Sequence, residues 1–576
     1  MAGVTAWLQR GFLVRNICNI SGFTFHRESL QAVGTAIATT LGASMSMTST
    51  SQMDQLDDPQ PGSKSAGGRE PEAELEPGLC EPGGLGTTWR QAGFRRRLQL
   101  AFSFLTMLTF LLATLQFVMS RGGVSDPDIW WHLRNAEYLF QNHQLPRHDS
   151  YSFTVAGAPW INHEWLAEIP YYLAWRVWGL AGVNAVMLVV IELIFLSLLY
   201  LCYQESGHFK ASIAACAFCT FLAKVSYGPR TILFGYLYLV LLLIILHRFR
   251  RKGQAPLWLI PPLFCLWINT HGSWSLGLII FSIIAAAGLL KTGWGLVEAE
   301  PWSRPQFLRL VVTGLVSVAA LFVNPFGARL VFYPFDLAFR QKLNISHVAE
   351  WVSVDFHDMR GKLVFVLLVT LFLTALLRRR RWTVAELCVL LFALYSGLTY
   401  IRFLFLLAIV AAPLLAKLLD FVPRYRPQAD TPLINAIVIC VMIGSVVHYW
   451  PKAAEMQNAV AKEYPAAILP FLKAHPPNGP VLNAYLWGGY LEFNDPNVKT
   501  FVDSRVDIFE YAGVLQDYLD LLSLKRPNVL LDKYKIRYVL FPHDEPLTYV
   551  LEHDPQWKEV YSDEVSVLLE RGEGGK

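Results

Sequence analysis

Charge is scarce in this chain. Only 16% of its 576 residues are Asp, Glu, Lys or Arg, where an ordinary soluble domain carries about 25%. The net charge of +4 comes from short basic clusters beside apolar runs and not from a broad basic face, which excludes a nucleic-acid surface. Cysteine is sparse too. Six of the eight, Cys202, Cys216, Cys219, Cys265, Cys388 and Cys440, lie in or beside apolar runs, where they act as small hydrophobes. No disulfide framework or zinc spacing emerges, and the CxxC of Cys216 and Cys219 lies inside an apolar run, which disfavours redox chemistry. Residues 1–48 contain no classical signal peptide.

What the chain has instead is apolar length. Hydrophobic residues make up 53%, and runs of roughly 16 to 22 recur between Ala101 and Tyr449, about the length that crosses a hydrocarbon core of ~30 Å. The predicted spans are 98–119, 182–203, 211–225, 231–247, 256–268, 273–290, 308–323, 362–377, 383–397, 402–419 and 432–449. The fold class expected is therefore a polytopic α-helical membrane protein of about eleven transmembrane helices. The shortest runs are 211–225 and 256–268, the latter holding Pro256, Pro261 and Pro262.

Lys and Arg set the orientation. With the N-terminus cytoplasmic, the inner loops carry Arg95-Arg96-Arg97, Lys210, Arg248, Arg250-Arg251-Lys252, Lys291, the run 378–381, Arg424 and Arg426. Segments 120–181, 324–361 and 450–576 then fall outside, together with most of the acidic residues and histidines. Three parts follow: a disordered tail over 1–92, in which Met45, Met47 and Met53 are alternative starts; a membrane domain over 93–450; and an extracytoplasmic α/β domain over 451–576. In the last, 481–493, 498–502 and 537–541 read as strands, 514–524 and 528–534 as helices, and 559–570 as a hairpin. It contains no GxGxxG, P-loop, HExxH or GxSxG.

Chemistry concentrates in the first outer loop. Ser125-Asp126-Pro127-Asp128-Ile129-Trp130-Trp131-His132-Leu133-Arg134 follows the first span, and Asp149 and Trp160-Ile161-Asn162-His163-Glu164-Trp165 complete the set. Two carboxylates two residues apart can share a divalent cation, or one can act as a base that the other orients. Tryptophans interleaved with acids suit a sugar, whose apolar face stacks on rings while its hydroxyls bond carboxylates. Trp130, Trp131, Trp160 and Trp165 also fit an aromatic belt, and Asp126 and Asp128 a solvated turn around Pro127.

An acidic first outer loop, many spans and a C-terminal outer domain resemble the GT-C superfamily of membrane glycosyltransferases. Asp126-Pro127-Asp128-Ile129-Trp130-Trp131-His132-Leu133-Arg134 is similar in placement to the DP-x-x-N-Y-R loop of oligosaccharyltransferase catalytic subunits. DPDIWWHLRNAEYL, SYSFT and HEWL together look like a set of bacterial GT-C-like membrane proteins. The resemblance spans roughly residues 98 to 570, and only the first loop is specific. It implies a polyprenyl-phosphate-linked sugar donor, an acceptor of unknown class and a site at the outer face of a bacterial plasma (inner) membrane. Asp126 or Asp128 would then deprotonate the acceptor or hold a Mg or Mn ion against the lipid phosphate. Glu164 is the third candidate catalytic carboxylate. The chain lacks a WWDYG motif, which speaks against peptide glycosylation, and lacks the DE pair of protein O-mannosyltransferases.

Candidate substrate-binding residues are His132, Arg134, Trp130, Trp131, His163, Arg230, His271, Glu350 and Arg402. Arg230 and Arg402 suit a lipid phosphate. Asn269, Asn324, Trp351, Asp355 and His357 lie near the same face, and Asn269-Thr270-His271-Gly272 fits a tight turn. Asp503 and Arg505 are expected to form a structural ion pair, and Asn344-Ile345-Ser346 matches a glycosylation acceptor. A transporter or lipid-handling protein would place ionisable residues mid-span, often in repeated halves; only Glu192 and Glu386 fall within predicted spans. A GT-C-shaped scaffold without activity is the remaining alternative.

Overall fold

The computed structural model describes residues 93–121, 126–347, 349–378 and 381–572. These belong to one compact unit, Cys80–Lys576. The tail expected over 1–92 lies outside the described residues, as do Ser125 and two arginines of the run 378–381.

Each of the eleven apolar runs folds as a helix: Phe104–Ser120, Leu180–Ser206, Phe209–Ala223, Ile232–Lys252, Ile260–Thr270, Trp274–Ala287, Arg304–Ala320, Met359–Arg378, Val384–Thr399, Leu404–Leu418 and Pro432–His448. Among the described residues, five helices are long and apolar enough to cross a membrane, and a sixth if Pro432–His448 and Ala453–Glu463, bent by 54°, count as one. Ile260–Thr270 is one of the shorter apolar helices. Pro261 and Pro262 stand in its first turn, where backbone N–H groups have no intrahelical acceptor, so the prolines begin a helix they would break further along.

Leu404–Leu418 is the central post, with every side chain except Lys417 buried. It packs against Phe209–Ala223, Leu180–Ser206 and Val384–Thr399. Lipid tails are as apolar as leucine, so burial alone gives such helices little reason to associate; close approach does. Ala408, Ala411, Ala412 and Ala416 on the post, and Ala211, Ala215, Cys216 and Cys219 on its neighbour, supply it. The CxxC cysteines are thus packing residues.

Contacts sort the connecting segments into two ends. At one, Asp430 accepts the Phe104 N–H at 3.1 Å, His208 Nε2 meets the Val422 carbonyl at 2.6 Å and Arg251 donates to the Gln204 carbonyl at 2.9 Å. Lys417 pairs there with Glu386 at 2.7 Å and with Glu205, which also holds His247. Glu386, read as lying within a span, is a capping residue in the first turn of Val384–Thr399.

At the other end lies a four-stranded sheet. Val481–Asn483 runs parallel to Tyr538–Phe541, which pairs antiparallel with Val567–Arg571, and that strand forms a hairpin with Trp557–Ser562. Helices Val514–Leu522 and Pro527–Lys533 fall where the sequence places them. Two strand assignments need correction. Only Val481–Asn483 of 481–493 is extended; Gly488–Asn494 is a helix, and 498–502 makes a single bridge, Ser152 to Thr500. The aromatic-rich stretch has strand propensity, but tertiary packing overrides it. A Cβ on Gly489 would stand 3.2 Å from the Trp131 backbone N, so the glycine lets this helix press onto the start of Asp128–Asn142.

The first loop and the sheet are clamped together. Arg505 pairs with Asp149 at 2.7 Å and with Asp503, and its guanidinium lies over the Tyr151 and Trp160 rings at 4.8 and 5.0 Å. All three charges are buried. Losing one partner of such a set strands the others, at a cost of about 3–5 kcal/mol.

Candidate active site

The polar side chains cluster where this clamp meets the helix ends. Asp128 opens Asp128–Asn142. Asp126 reaches forward so that Oδ1 accepts the Asp128 N–H at 3.0 Å, while Oδ2 pairs with Arg230. Arg230 stands between Phe209–Ala223 and Ile232–Lys252 and also pairs with Glu350. These two acids overcome the cost of burying the guanidinium and raise its pKa.

Asp128 is held differently. Oδ1 receives the Trp131 indole at 3.3 Å, and the same N–H reaches Ser504 Oγ at 3.1 Å. Burial, then the Asp126 charge, push its carboxyl up to about 7, against the pull of His132 and a hydrogen bond from Ser504. An acid poised there exchanges its proton at physiological pH.

Glu164 is enclosed by three imidazoles: His132 Nε2 at 3.4 Å, His163 Nε2 at 3.5 Å and His271 Nε2 at 3.3 Å. Burial opposes its charge, but the histidines, His163 foremost, outweigh it and hold the carboxyl well below the ordinary range. His132 Nδ1 meets Glu168 at 3.1 Å. Burial disfavours the imidazolium, yet Glu168 and Glu164 raise the His132 pKa. His163 is raised too, burial being overcome by Glu164. In His271 burial prevails and lowers it to about 3. Its Nδ1 accepts the Ser273 N–H at 2.9 Å, so the neutral ring carries its proton on Nε2, the nitrogen that faces Glu164.

Arg402 lies over the Trp351 ring at 4.3 Å, its Nε buried without a hydrogen-bond partner. The cluster therefore brings together Asp126, Asp128, Trp131, His132, His163, Glu164, Arg230, His271, Glu350 and Arg402. Two predicted residues are absent from it. Trp130 is core, edge-on to Tyr464 and Tyr490 at 5.6 and 4.9 Å, because neighbouring residues on a helix point about 100° apart. Arg134 pairs with Glu137 at 2.5 Å and faces a separate cavity. Asn269 is a structural partner of Trp165 and of the Cys265 and Val323 carbonyls. Asn324 caps its own turn, and Asp355 and His357 form an exposed pair. Asn344 is buried with its amide on Gln341, which removes it as a glycosylation acceptor.

Four members were missed. Glu168, 1% exposed, accepts from Asn135 at 3.0 Å and Asn162 at 2.8 Å as well as facing His132. Its signal was an acid inside the apolar helix Trp165–Trp178. Ser504, Tyr333 and Asp507 had no local signal. Tyr333 packs its ring against His163, tilted by 31° at 4.5 Å between centroids, and donates to Asp507 at 3.1 Å.

The cluster is a poor fit for a divalent ion. Both Asp126 oxygens are engaged, Arg230 holds the place of a cation, and among the described residues no three His, Cys, Asp or Glu side chains converge on a metal position.

No family model and no curated protein matches the chain. Among solved structures it is similar to the Archaeoglobus fulgidus oligosaccharyltransferase tethered to an acceptor peptide containing the NVT sequon. The TM-score is 0.50 and the identity 13%, over 77% of this chain and 70% of that one. This chain has that enzyme's fold. The GT-C resemblance read from the first loop therefore holds at the level of fold, and with the apolar helices it makes the chain an integral membrane protein. Similarity also extends to the mycobacterial arabinofuranosyltransferase AftD, with TM-score 0.47 and 14% identity over 84% of this chain and 42% of that one. ArnT from Cupriavidus metallidurans, solved with undecaprenyl phosphate, gives 0.44 and 11% over 81% of this chain and 97% of that one.

Proposed function

We propose that this GT-C-like protein is a glycosyltransferase that moves a sugar from a polyprenyl-phosphate-linked donor to an acceptor hydroxyl at the outer face of a bacterial plasma membrane. The observation that carries this reading is the placement of Asp128, a carboxyl pushed up to about 7 by burial and Asp126, at a helix start beside the Asp126–Arg230 ion pair. In its ionised form Asp128 takes the acceptor proton as the acceptor oxygen attacks the anomeric carbon, and the bond from that carbon to the phosphate oxygen breaks. Arg402, with its free Nε, and Arg230 neutralise the departing lipid phosphate. Trp131 and Ser504 hold Asp128 in place, and Glu164 with its histidines gives a hydrogen-bonding wall for sugar hydroxyls. The ion expected at Asp126 and Asp128 has no role in this scheme, because Arg230 already compensates Asp126.

The two ends of the bundle support eleven crossings with an inner N-terminus and an outer C-terminal α/β region. The segments around Phe104, His208, Arg251, Glu298, Arg381 and Asp430 share one end through their contacts, and the segments carrying the polar cluster share the other. The short loops at the first end carry Lys210, Arg248, Arg250-Arg251-Lys252, Lys291, Arg381, Arg424 and Arg426, in keeping with the positive-inside rule.

Purified protein assayed with a panel of polyprenyl-phosphate sugars tests the reading. Asp128→Asn and Asp126→Asn should each abolish transfer at undiminished expression; full turnover by both variants removes the site assignment.

A further inference from the structure

Arg134 and Tyr138 lie one turn apart on Asp128–Asn142, with Arg134 about 120° around the axis from Asp128. On that side a cavity of about 200 Å³ is lined by Arg134, Tyr138, Tyr151, Glu492, Pro496 and Lys499. A second cavity of about 340 Å³ shares Val498 and Lys499 with it and continues past Phe153, Lys473 and Asn497. None of these residues except Arg134 was a site candidate.

Two polar atoms in this region are unsatisfied: Arg134 Nε and Glu492 Oε2. Glu492 is only 2% exposed, and its other oxygen takes the Thr500 hydroxyl at 2.6 Å. Native interiors leave few such atoms without a partner. Both are held rigidly, Arg134 through Glu137 and Glu492 through Thr500, while Lys499 is anchored on the Ser150 carbonyl at 2.7 Å. Burial, then the neighbouring Asp503, push the Glu492 carboxyl well above the ordinary range. The open oxygen of Glu492 and the N–H of Arg134 Nε supply an acceptor and a donor for sugar hydroxyls. A lining of rings and prolines with a few fixed polar groups suits a pyranose, which has apolar faces and a rim of hydroxyls.

We infer that the two adjoining cavities form a glycan-binding groove, in which Arg134, Glu492 and Lys499 hold consecutive sugar units of a saccharide acceptor. Its role in holding the acceptor rests on the transferase reading; saccharide binding itself does not. The competing occupant is water, which a polar cavity of this size also accommodates.

Saturation-transfer NMR on the full-length Asp128→Asn protein in detergent, with di- and trisaccharides of mannose, glucose, galactose and arabinose, separates the two. The groove predicts transfer to at least one trisaccharide, stronger than to its disaccharide. Affinity should fall about tenfold in Glu492→Gln and in the milder surface variants Tyr138→Ala and Lys499→Ala, the loss of roughly one good contact each. No saturation with any sugar, or a signal that Tyr138→Ala and Lys499→Ala both leave unchanged, would overturn the inference. Sugar binding by a protein that transfers nothing from any donor would break the transferase reading alone. Transfer without binding at this groove would break only the groove.

Discussion

The two ends of the helix bundle both bury ionisable residues but treat them differently. At the end with Glu205, Lys417, Glu386 and His247, each charge faces an opposite one and the set closes on itself. At the end with Asp126, Asp128 and Glu164, Asp128 is held partly protonated, Arg402 keeps a free Nε, and His163 leaves Nδ1 unpartnered. Closed sets stabilise, or at least avoid a penalty; open ones retain groups for something not yet bound. The contrast teaches that charge density alone does not locate a site in such a protein.

The largest expected effect that could break this contrast is on transfer by Asp128→Asn, which should fall by about 10²–10⁴-fold, the usual contribution of a positioned base. Its thermal stability should rise. The folded-state pKa of Asp128 is raised, so the native state loses stability as pH climbs from the ordinary carboxylate range towards 7, and Asn removes that loss. A melting curve at pH 8 with the variant below the native protein would contradict this. Next comes Glu164→Gln, expected to lower transfer by about tenfold or more. It should also lower the pKa of His132 and His163, read from their imidazole proton shifts, since Glu164 helps keep both high. Unchanged histidine titrations would show the cluster to be electrostatically inert.

At the closed end, Lys417→Met should reduce the melting temperature by several degrees by removing the cation that Glu205 and Glu386 share. Turnover per folded molecule should stay the same. A loss of turnover without loss of stability would erase the distinction between the ends. The smallest effect is expected from Trp130→Phe, since that ring packs in the core against Tyr464 and Tyr490 and keeps its apolar contacts; a large change in the donor KM would return Trp130 to the site.

Much of this was legible in the sequence because it is local. Apolar runs gave the helices, and one loop carried Asp126, Asp128, His132, His163 and Glu164. Arg230, His271, Glu350 and Arg402 were reachable as polar residues at helix ends. What escaped depends on long-range packing. Ser504 reaches Asp128 only because Arg505 clamps its loop to Asp149, 356 positions away in the chain. The helix Gly488–Asn494 replaced a predicted strand because Gly489 fits against Trp131. Trp130 and Trp131 are indistinguishable in sequence, yet only the second reaches an acid.

The central claim, that Asp128 is the base, is tested most directly by the pH dependence of kcat/KM for sugar transfer. A base must be ionised, so activity should rise with pH through a single pKa near 7, losing about tenfold per unit below it, and the rise should vanish in the residual activity of Asp128→Asn. A flat profile from about pH 5 to 8, or the same inflection in the variant, would contradict the account.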